Sequence, residues 1–320
     1  MFDQQTGPAW RTMKRLGLVA AALFGSLASN PASAVESGMS IYPKGFAGFM
    51  SGVLPPQPGF YANDIYYYFS GSAGREVRDG NVEANVNITI NGDFLQGLDV
   101  TDLHVLGATY AFGGAVDYAW ANLDASVQTP FGSANLKASN DTIGDSILTP
   151  AMFGWHDGNL NWDLGLNVYI PTGAYRIRQL NIGRNVWSLW PQFGFTYFDP
   201  QTGWDLSGTL VYVTMTEDTT TNYQSGDLLH LDWAFGKHFG GGQWEAGVVG
   251  NVVQQVGSDG GSGAKLGPFK AESLGIGPGI NYSTKLGSTP ASFAARWERD
   301  FDAHNTFRGD VVVASATFVF

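Results

Sequence analysis

The chain has 320 residues, no cysteine and a formal net charge of −11. The absence of cysteine excludes disulfides, thiolate metal sites and cysteine nucleophiles, and the acidic balance argues against a nucleic-acid partner, which needs a basic surface. Charged residues make up 14% of the chain, aromatic residues another 14%, and 43 residues are glycine. This mixture disfavours both disorder and a helical bundle.

Residues 1–34 have the pattern of a secretory signal peptide. Basic residues precede an apolar run and a small-residue cleavage site: Arg11, Lys14 and Arg15, then Leu16–Leu27, then Ala32-Ser33-Ala34. Cleavage after Ala34 removes three of 17 basic and one of 28 acidic residues, which leaves 14 and 27 and a formal charge of −13. The following residues, 35–59, contain four prolines and no strand pattern. They are predicted to form either a periplasmic tail or a plug.

From residue 60 to residue 320 the chain alternates apolar and polar residues, as β-strands with one apolar face and one polar face do. In the clearest segment, 159–170, every even position is apolar, and the segment is long enough to cross a bilayer. Further strands are predicted at 60–71, 99–112, 114–129, 143–157, 187–197, 204–212, 229–235, 244–252, 274–282, 291–297 and 305–320. Residues 82–92 form another strand or part of a long first loop. We therefore predict an all-β, transmembrane, antiparallel up-and-down β-barrel of about 12 strands, or 14.

The connections between these strands alternate in length. Tight turns rich in Gly and Asp are predicted at Gly113-Gly114, Asp157-Gly158, 199–203, 240–242 and Gly287-Ser288. Longer loops are predicted at 130–142, 172–185, 217–226 and 257–268. This asymmetry is typical of barrels with periplasmic turns and extracellular loops. In the loop 172–185, the basic residues Arg176, Arg178 and Arg184 either pair with lipopolysaccharide phosphates or are solvated. At the C-terminus, Phe318 and Phe320 resemble the signal read by the barrel-assembly machinery.

Alternation also assigns side chains to the barrel interior. The predicted aromatic lining, which stacks on solutes or serves as ordinary packing, is Trp190, Trp120, Tyr118, Tyr66 and Tyr68. The predicted charged lining is Asp205, Asp232, Glu245, Arg296, Glu298 and Asp300, an acidic balance that disfavours small anions. Arg296 alternatively forms a salt-bridge cluster with Glu298 and Asp300. His230 beside Asp232 is a candidate acid–base pair, but no third metal ligand can be named, so we interpret both as polar lining. No cofactor, metal or enzymatic activity is predicted.

Several motifs occur in a distinctive order. They are Ile170-Pro-Thr-Gly-Ala-Tyr175, Asn181-Ile-Gly-Arg-Asn-Val-Trp187, Phe195-Thr-Tyr-Phe-Asp-Pro-Gln-Thr-Gly-Trp204, Tyr223-Gln-Ser-Gly-Asp227 and Arg296-Trp-Glu-Arg-Asp-Phe301. Together they resemble the outer-membrane proteins of the meta-pathway phenol-degradation type, over most of the chain from about Gly38 to Phe320. The resemblance implies an outer-membrane barrel that lets hydrophobic or aromatic compounds through. The resemblance does not assign binding residues to positions in this sequence.

The first functional hypothesis is a passive channel for small hydrophobic or aromatic compounds in the outer membrane of a Gram-negative bacterium. The expected partners are outer-membrane lipid and lipopolysaccharide, the barrel-assembly machinery and the solutes themselves. The alternatives are a general or sugar-type porin, a barrel-embedded hydrolase that uses His230 and Asp232, and a structural or adhesive surface protein.

Overall fold

The structure, a computed structural model, describes residues 40–77, 82–129, 132–177, 179–264 and 270–320. Thirteen β-strands cover most of these residues: β1 (Gly59–Val77), β2 (Val82–Val105), β3 (Ala108–Thr129), β4 (Gly132–Ile143), β5 (Ser146–Asp157), β6 (Leu160–Ile170), β7 (Ser188–Asp199), β8 (Trp204–Met215), β9 (Leu228–Phe239), β10 (Trp244–Gln255), β11 (Glu272–Leu286), β12 (Thr289–His304) and β13 (Arg308–Val319). The described part of the chain has no helix long and apolar enough to cross a membrane. The predicted signal peptide, 1–34, lies outside the described residues.

The strands close into an antiparallel barrel. β1 pairs with β13 on one side and β2 on the other, and β2 pairs in turn with β3. The outer edge of β3 pairs first with β5 and then with β4, so these two strands share one position, interrupted at Gly144 and Asp145. The barrel therefore has 12 strand positions. The predicted up-and-down barrel and its count of 12 are confirmed, and the alternative count of 14 is wrong.

The first third of the barrel departs from the predicted boundaries. The segments 82–92 and 99–112 do not form two strands, because β2 runs unbroken through the first and into the second. The turn after β2 is at Leu106-Gly107, where both residues have positive φ. The predicted turn at Gly113-Gly114 lies within β3, where a β-carbon on Gly113 would meet the Gly97 carbonyl oxygen at 2.1 Å. Glycine here permits close strand pairing instead of a reversal, and the predicted loop 130–142 is mostly β4.

From β5 to β13 the outward face is apolar, as the alternation predicts. Large apolar side chains are exposed along it, among them Leu164, Phe193 and Leu210. Aromatic pairs stand near the tight turns: Trp155 with Trp162, Trp204 with Phe235, and Trp244 with Tyr282, with ring centroids 6.2, 4.8 and 4.3 Å apart. An apolar band with an aromatic girdle is the surface that a lipid bilayer requires of a barrel.

The strands β1 to β3 reverse this polarity over much of their length. Their inward face carries buried Ile65, Phe69 and Ile88, whereas their outward face carries exposed polar residues such as Asn87 and Asp93. With 19 to 24 residues, they are also longer than the 11 to 16 residues of β4 to β13. These strands extend past the end of the barrel that carries the long loops, so part of their outer face lies beyond the lipid.

The C-terminal residue closes the barrel seam. The Phe320 amide donates to the Phe60 carbonyl oxygen (2.9 Å), and the Phe60 amide donates to the Phe320 carbonyl oxygen (3.0 Å). The Phe320 side chain is 72% exposed.

We predict that deletion of Phe320 slows assembly and that Phe318→Asp slows it further, because the latter places a charge on the lipid face. The amount of heat-modifiable barrel in outer-membrane fractions measures this. Thr317→Asp, on the inward face of the same strand, is the control, and normal levels of all three variants would contradict the prediction.

Candidate functional site

Residues 40–58, here called the inner segment, run through the lumen of the barrel. At the end that carries the long loops, Ser40 Oγ lies 2.8 Å from His230 Nε2. Further along, the Gly52 amide donates to Thr196 Oγ1 (3.0 Å), and Leu54 packs against Gly154 near the tight turns. The segment then enters β1. Of the two placements left open for residues 35–59, the described part thus lies inside the barrel.

One buried carboxylate on β9 holds the middle of the inner segment. Asp232 accepts hydrogen bonds from the Gly45 amide (3.0 Å), the Ala47 amide (2.9 Å) and the Tyr42 hydroxyl (3.3 Å). A carboxyl group buried away from water needs hydrogen-bond donors of this kind. Asp232 is therefore the main clamp of the segment.

Charged residues of β12 complete the attachment. Arg296 donates from Nε to the Gly45 carbonyl oxygen (2.9 Å) and from a terminal nitrogen to the Phe46 carbonyl oxygen. Lys44 forms a salt bridge with Asp300 (2.5 Å). The alternative cluster of Arg296 with Glu298 and Asp300 is not present among the described salt bridges, because Arg296 is engaged by backbone carbonyls. Glu298 instead accepts a hydrogen bond from Asn251 (2.6 Å).

An apolar cavity of about 150 Å³ lies between the inner segment and the barrel wall, in the half that carries the long loops. Its lining is mostly aromatic and aliphatic: Ile41, Tyr42, Tyr67, Phe69, Ile88, Ile90, Phe94, Ala119, Ala121, Ile147, Tyr169, Leu180, Ile182, Trp190, Val253 and Phe307. Polar groups, among them Lys44, Asp117, Arg184 and His230, also border it. An engineered apolar cavity of about this size binds benzene.

Trp190 is the centre of the aromatic lining. Its ring lies 5.5 Å from Tyr42 at a perpendicular angle and 5.4 Å from Tyr169. The indole nitrogen donates to Ser188 Oγ (2.8 Å), so the polar atom of the ring is satisfied. The edge-to-face arrangement with Tyr42 is a favoured one for aromatic pairs, and a further ring of similar size fits the same geometry.

Two carboxylates organise the loops above the cavity. Buried Asp145, between β4 and β5, accepts the amides of Gly173 (2.7 Å) and Arg184 (2.6 Å) and so fixes the loop between β6 and β7. Asp218, in the loop after β8, accepts bonds from Tyr175 (2.9 Å) and Asn185 (2.6 Å).

Burial raises the pKa of Asp218, but its hydrogen-bond donors outweigh burial and hold the pKa below the ordinary value. A depressed pKa means that Asp218 stabilises the fold above its unfolded pKa of about 4, and the contribution is lost as pH falls through the lower folded value. The hydrogen bonds from Tyr175 and Asn185 to Asp218, which join the β6–β7 loop to the loop after β8, are thus intact at neutral pH.

Several predicted interior residues do lie in the lumen. Trp190, His230, Asp232, Asp205, Glu245, Glu298 and Asp300 are all at most 3% exposed, and Arg296 bonds to the inner segment. In the loop, Arg184 borders the cavity and the amide of Arg176 donates to Asn181. Arg178 lies outside the described residues.

The prediction assigned four aromatic residues to the lumen that the structure places on the outer face of the barrel. Tyr66, Tyr68, Tyr118 and Trp120 lie on the outer face, where Tyr66 and Tyr118 contact Trp120 and Tyr118 is 43% exposed. Their neighbours Tyr67, Phe69, Ala119 and Ala121 face the cavity instead. The alternation could not decide, because residues 65–69 are apolar or aromatic at every position and the outer face of β1 to β3 is not uniformly apolar.

The candidate acid–base pair does not form. His230 Nε2 contacts Ser40 on one side, while the carboxylate of Asp232 is taken by Tyr42 and two backbone amides. Tyr42, Tyr67 and Tyr169 were absent from the predicted lining. Nothing in the sequence pattern predicts the position of Tyr42, because only the path of the inner segment through the lumen brings it to Trp190.

The family described as "Putative MetA-pathway of phenol degradation" matches residues 70–316. The chain belongs to this family. The resemblance seen in the sequence motifs is thereby confirmed. Among curated proteins, none matches the chain.

Several solved structures are similar to this chain. An outer membrane channel from Pseudomonas putida F1 is 14% identical, with a TM-score of 0.62 over 88% of this chain and 100% of that one. The transport unit of the autotransporter AIDA-I from Escherichia coli is 10% identical, with a TM-score of 0.42 over 92% and 98%. A Pseudomonas aeruginosa FadL homologue is 8% identical, with a TM-score of 0.41 over 88% and 94%. At these identities the likeness to the first establishes the fold.

Proposed function

We propose that this chain is a passive outer-membrane channel for small hydrophobic or aromatic compounds, and that the cavity beside Trp190 is the site where such a compound binds. One observation carries the proposal: an apolar cavity of about 150 Å³, walled by aromatic rings, lies within a lumen whose other inward residues are largely charged or polar. A monocyclic aromatic compound matches its size.

The inner segment favours a selective channel over a general porin. It crosses the lumen from Ser40 to Leu54 and is bonded to β7, β8, β9 and β12. A general porin needs a water-filled path for ions and sugars, and a wide polar lumen supplies it. Here the apolar space lies between the segment and the barrel wall. The family's connection with phenol degradation is consistent with an aromatic solute.

The proposal predicts that filling the cavity abolishes aromatic binding. Ala121 faces the cavity and is 3% exposed, so Ala121→Phe places a ring where the solute would sit. Asn122→Phe is the matched control, because it adds the same side chain to the exposed face one residue later. Titration of the purified, detergent-solubilised barrel with toluene, followed by calorimetry, measures the loss. Equal affinity of the two variants would contradict the assignment of the cavity.

The variant Trp190→Ala distinguishes the hypothesis of an aromatic-compound channel from that of a general porin. Loss of one aromatic contact is worth about 0.5–1.5 kcal/mol, which weakens aromatic binding by roughly 2- to 12-fold. Uptake of an aromatic growth substrate should fall accordingly. In a porin, removing the ring would raise ion conductance without loss of aromatic uptake. That result would overturn the proposal in favour of a porin, and hydrolysis lost on His230→Ala would overturn it in favour of an enzyme.

A further inference from the structure

A second group of polar side chains lies in the lumen near the tight turns, at the opposite end of the barrel from the apolar cavity. Asp205 is the second residue of β8, Glu245 is the second residue of β10, and His238 is next to last in β9. Strand pairing places Glu245 opposite His238 and Asp205 opposite Gly236. The sheet register therefore brings together two carboxylates and an imidazole from three adjacent strands.

The spacing of these groups is that of metal ligands. His238 Nε2 lies 3.5 Å from Asp205 Oδ2 and 3.6 Å from Glu245 Oε2, and one ligand atom of each residue lies within 4.8 Å of the others. Both distances are long for a direct hydrogen bond. In a tetrahedral zinc site with bonds of about 2.0–2.1 Å, neighbouring ligand atoms are about 3.3–3.4 Å apart. A small cation between the three groups would thus need little rearrangement.

The ligand atoms are also short of partners. Asp205 and Glu245 are each 1% exposed, and Asp205 Oδ2, Glu245 Oε1 and His238 Nε2 have no hydrogen-bond partner among the described residues. Burying a carboxylate without a partner is costly. The other Glu245 oxygen, Oε2, lies 3.6 Å from His238 Nε2 and accepts one long hydrogen bond from Asn281 (3.5 Å). A cation between the three groups would supply a partner to Asp205 Oδ2, to His238 Nε2 and to the Glu245 carboxylate.

Gly236 makes room for the convergence. A β-carbon at this position would lie 2.4 Å from Asp205 Oδ2 and 2.7 Å from Glu245 Oε1, so the two oxygens turn into the space that a side chain would fill. Neighbouring groups hold the ligands in place: Ser207 Oγ donates to Asp205 Oδ1 (3.4 Å), and the Phe198 ring lies 4.8 Å from His238. Such supporting contacts orient ligands in metal sites.

We propose that Asp205, His238 and Glu245 bind one divalent transition-metal ion, with zinc as the expected ion. An imidazole suits zinc, whereas calcium and magnesium prefer all-oxygen sites. Three protein ligands leave the fourth tetrahedral position open to water. The His238 side chain is 16% exposed, which gives the ion access to the cluster. The bound ion would join β8, β9 and β10 beneath Phe49 of the inner segment, whose ring lies against Gly236.

Equilibrium dialysis of the purified, full-length barrel against zinc chloride, followed by elemental analysis, tests the proposal, and the protein must carry no histidine tag. We expect about one zinc per chain. Removing a supporting contact in a metal site costs 10- to 100-fold in affinity, so loss of a ligand in His238→Ala or Glu245→Gln should weaken binding by at least about 100-fold. Gly236→Ala should weaken it likewise while all three ligands remain. His156→Ala is the control, because His156 pairs with Asn161 in the hairpin of β5 and β6 and should bind zinc normally.

Heat-modifiable migration shows whether each variant is folded. If a ligand variant does not fold, the visible spectrum of cobalt-loaded wild-type protein decides, because a low-coordinate site absorbs far more strongly than hydrated cobalt. A wild-type barrel that binds no more zinc than His238→Ala, or a cobalt spectrum of the hydrated ion, would overturn the proposal. The cluster would then be a group of buried polar side chains that holds no metal ion. The outcome is independent of whether the apolar cavity binds aromatic compounds.

Discussion

Deletion of residues 40–57 is expected to raise the single-channel conductance of the barrel several-fold. The inner segment fills the lumen along most of its length, and the wall is closed by strand pairing without it. The polar residues that it covers, such as Asp232 and Arg296, would then face water, which is the normal lining of an open barrel pore. Planar-bilayer recordings of the deletion variant and the full chain measure the change.

A point variant tests the same idea without shortening the chain. Asp232→Asn replaces one acceptor oxygen with an NH₂ donor, which cannot accept from the amide of Gly45 or Ala47, so the clamp on the segment should weaken. We expect frequent transitions to a larger conductance. Asp310→Asn is the matched control, because Asp310 pairs with Arg299 on the outer face of the barrel. If the deletion variant conducts like the full chain, the inner segment does not limit ion flow.

The second large effect is expected at the lipid-facing surface, where Leu210→Arg should strongly reduce the yield of assembled barrel. Leu210 is near the middle of β8 and 42% exposed on the apolar face. An arginine at the bilayer midplane costs a barrel about 2–4 kcal/mol, whereas near the interface the cost falls to about 0–1 kcal/mol.

Leu206→Arg is the matched control, because Leu206 is on the same face of the same strand, close to the tight turn, and 45% exposed. Denaturant unfolding in lipid vesicles gives the free energy of each variant, and gel migration gives the assembled fraction. We expect the midplane variant to lose more than the control. Equal losses would mean that depth in the bilayer does not matter here, and the assignment of this face to lipid would be wrong.

The sequence by itself determined the fold and most of the wall. A lipid-facing strand must carry an apolar residue at every second position, since the bilayer tolerates no other pattern. The prediction of a strand at 159–170 therefore agrees with β6 within one residue. The same constraint placed Trp190, Asp205, Asp232 and Glu245 in the lumen, because their neighbours along the strand face lipid.

Where that constraint does not operate, only the tertiary structure showed which side chains face the lumen. β1 to β3 carry apolar residues toward the cavity on their inner face and polar residues on part of their outer face, so the polarity of a residue does not show which face it is on. Alternation consequently assigned Tyr66 and Trp120 to the wrong side. Local pattern also cannot show the path of the inner segment, whose bonds join residues up to 256 positions apart, as Lys44 and Asp300 show.

The proposed zinc ligands show the same division. Alternation could assign all three to the lumen, because Asp205 and Glu245 lie between apolar neighbours and His238 is in phase with the inward-facing Asp232 on β9. Their convergence depends on the register of β8, β9 and β10 and on the missing side chain at Gly236. Register is set by turns and cross-strand packing, so distances between side chains on different strands become known only when the barrel closes.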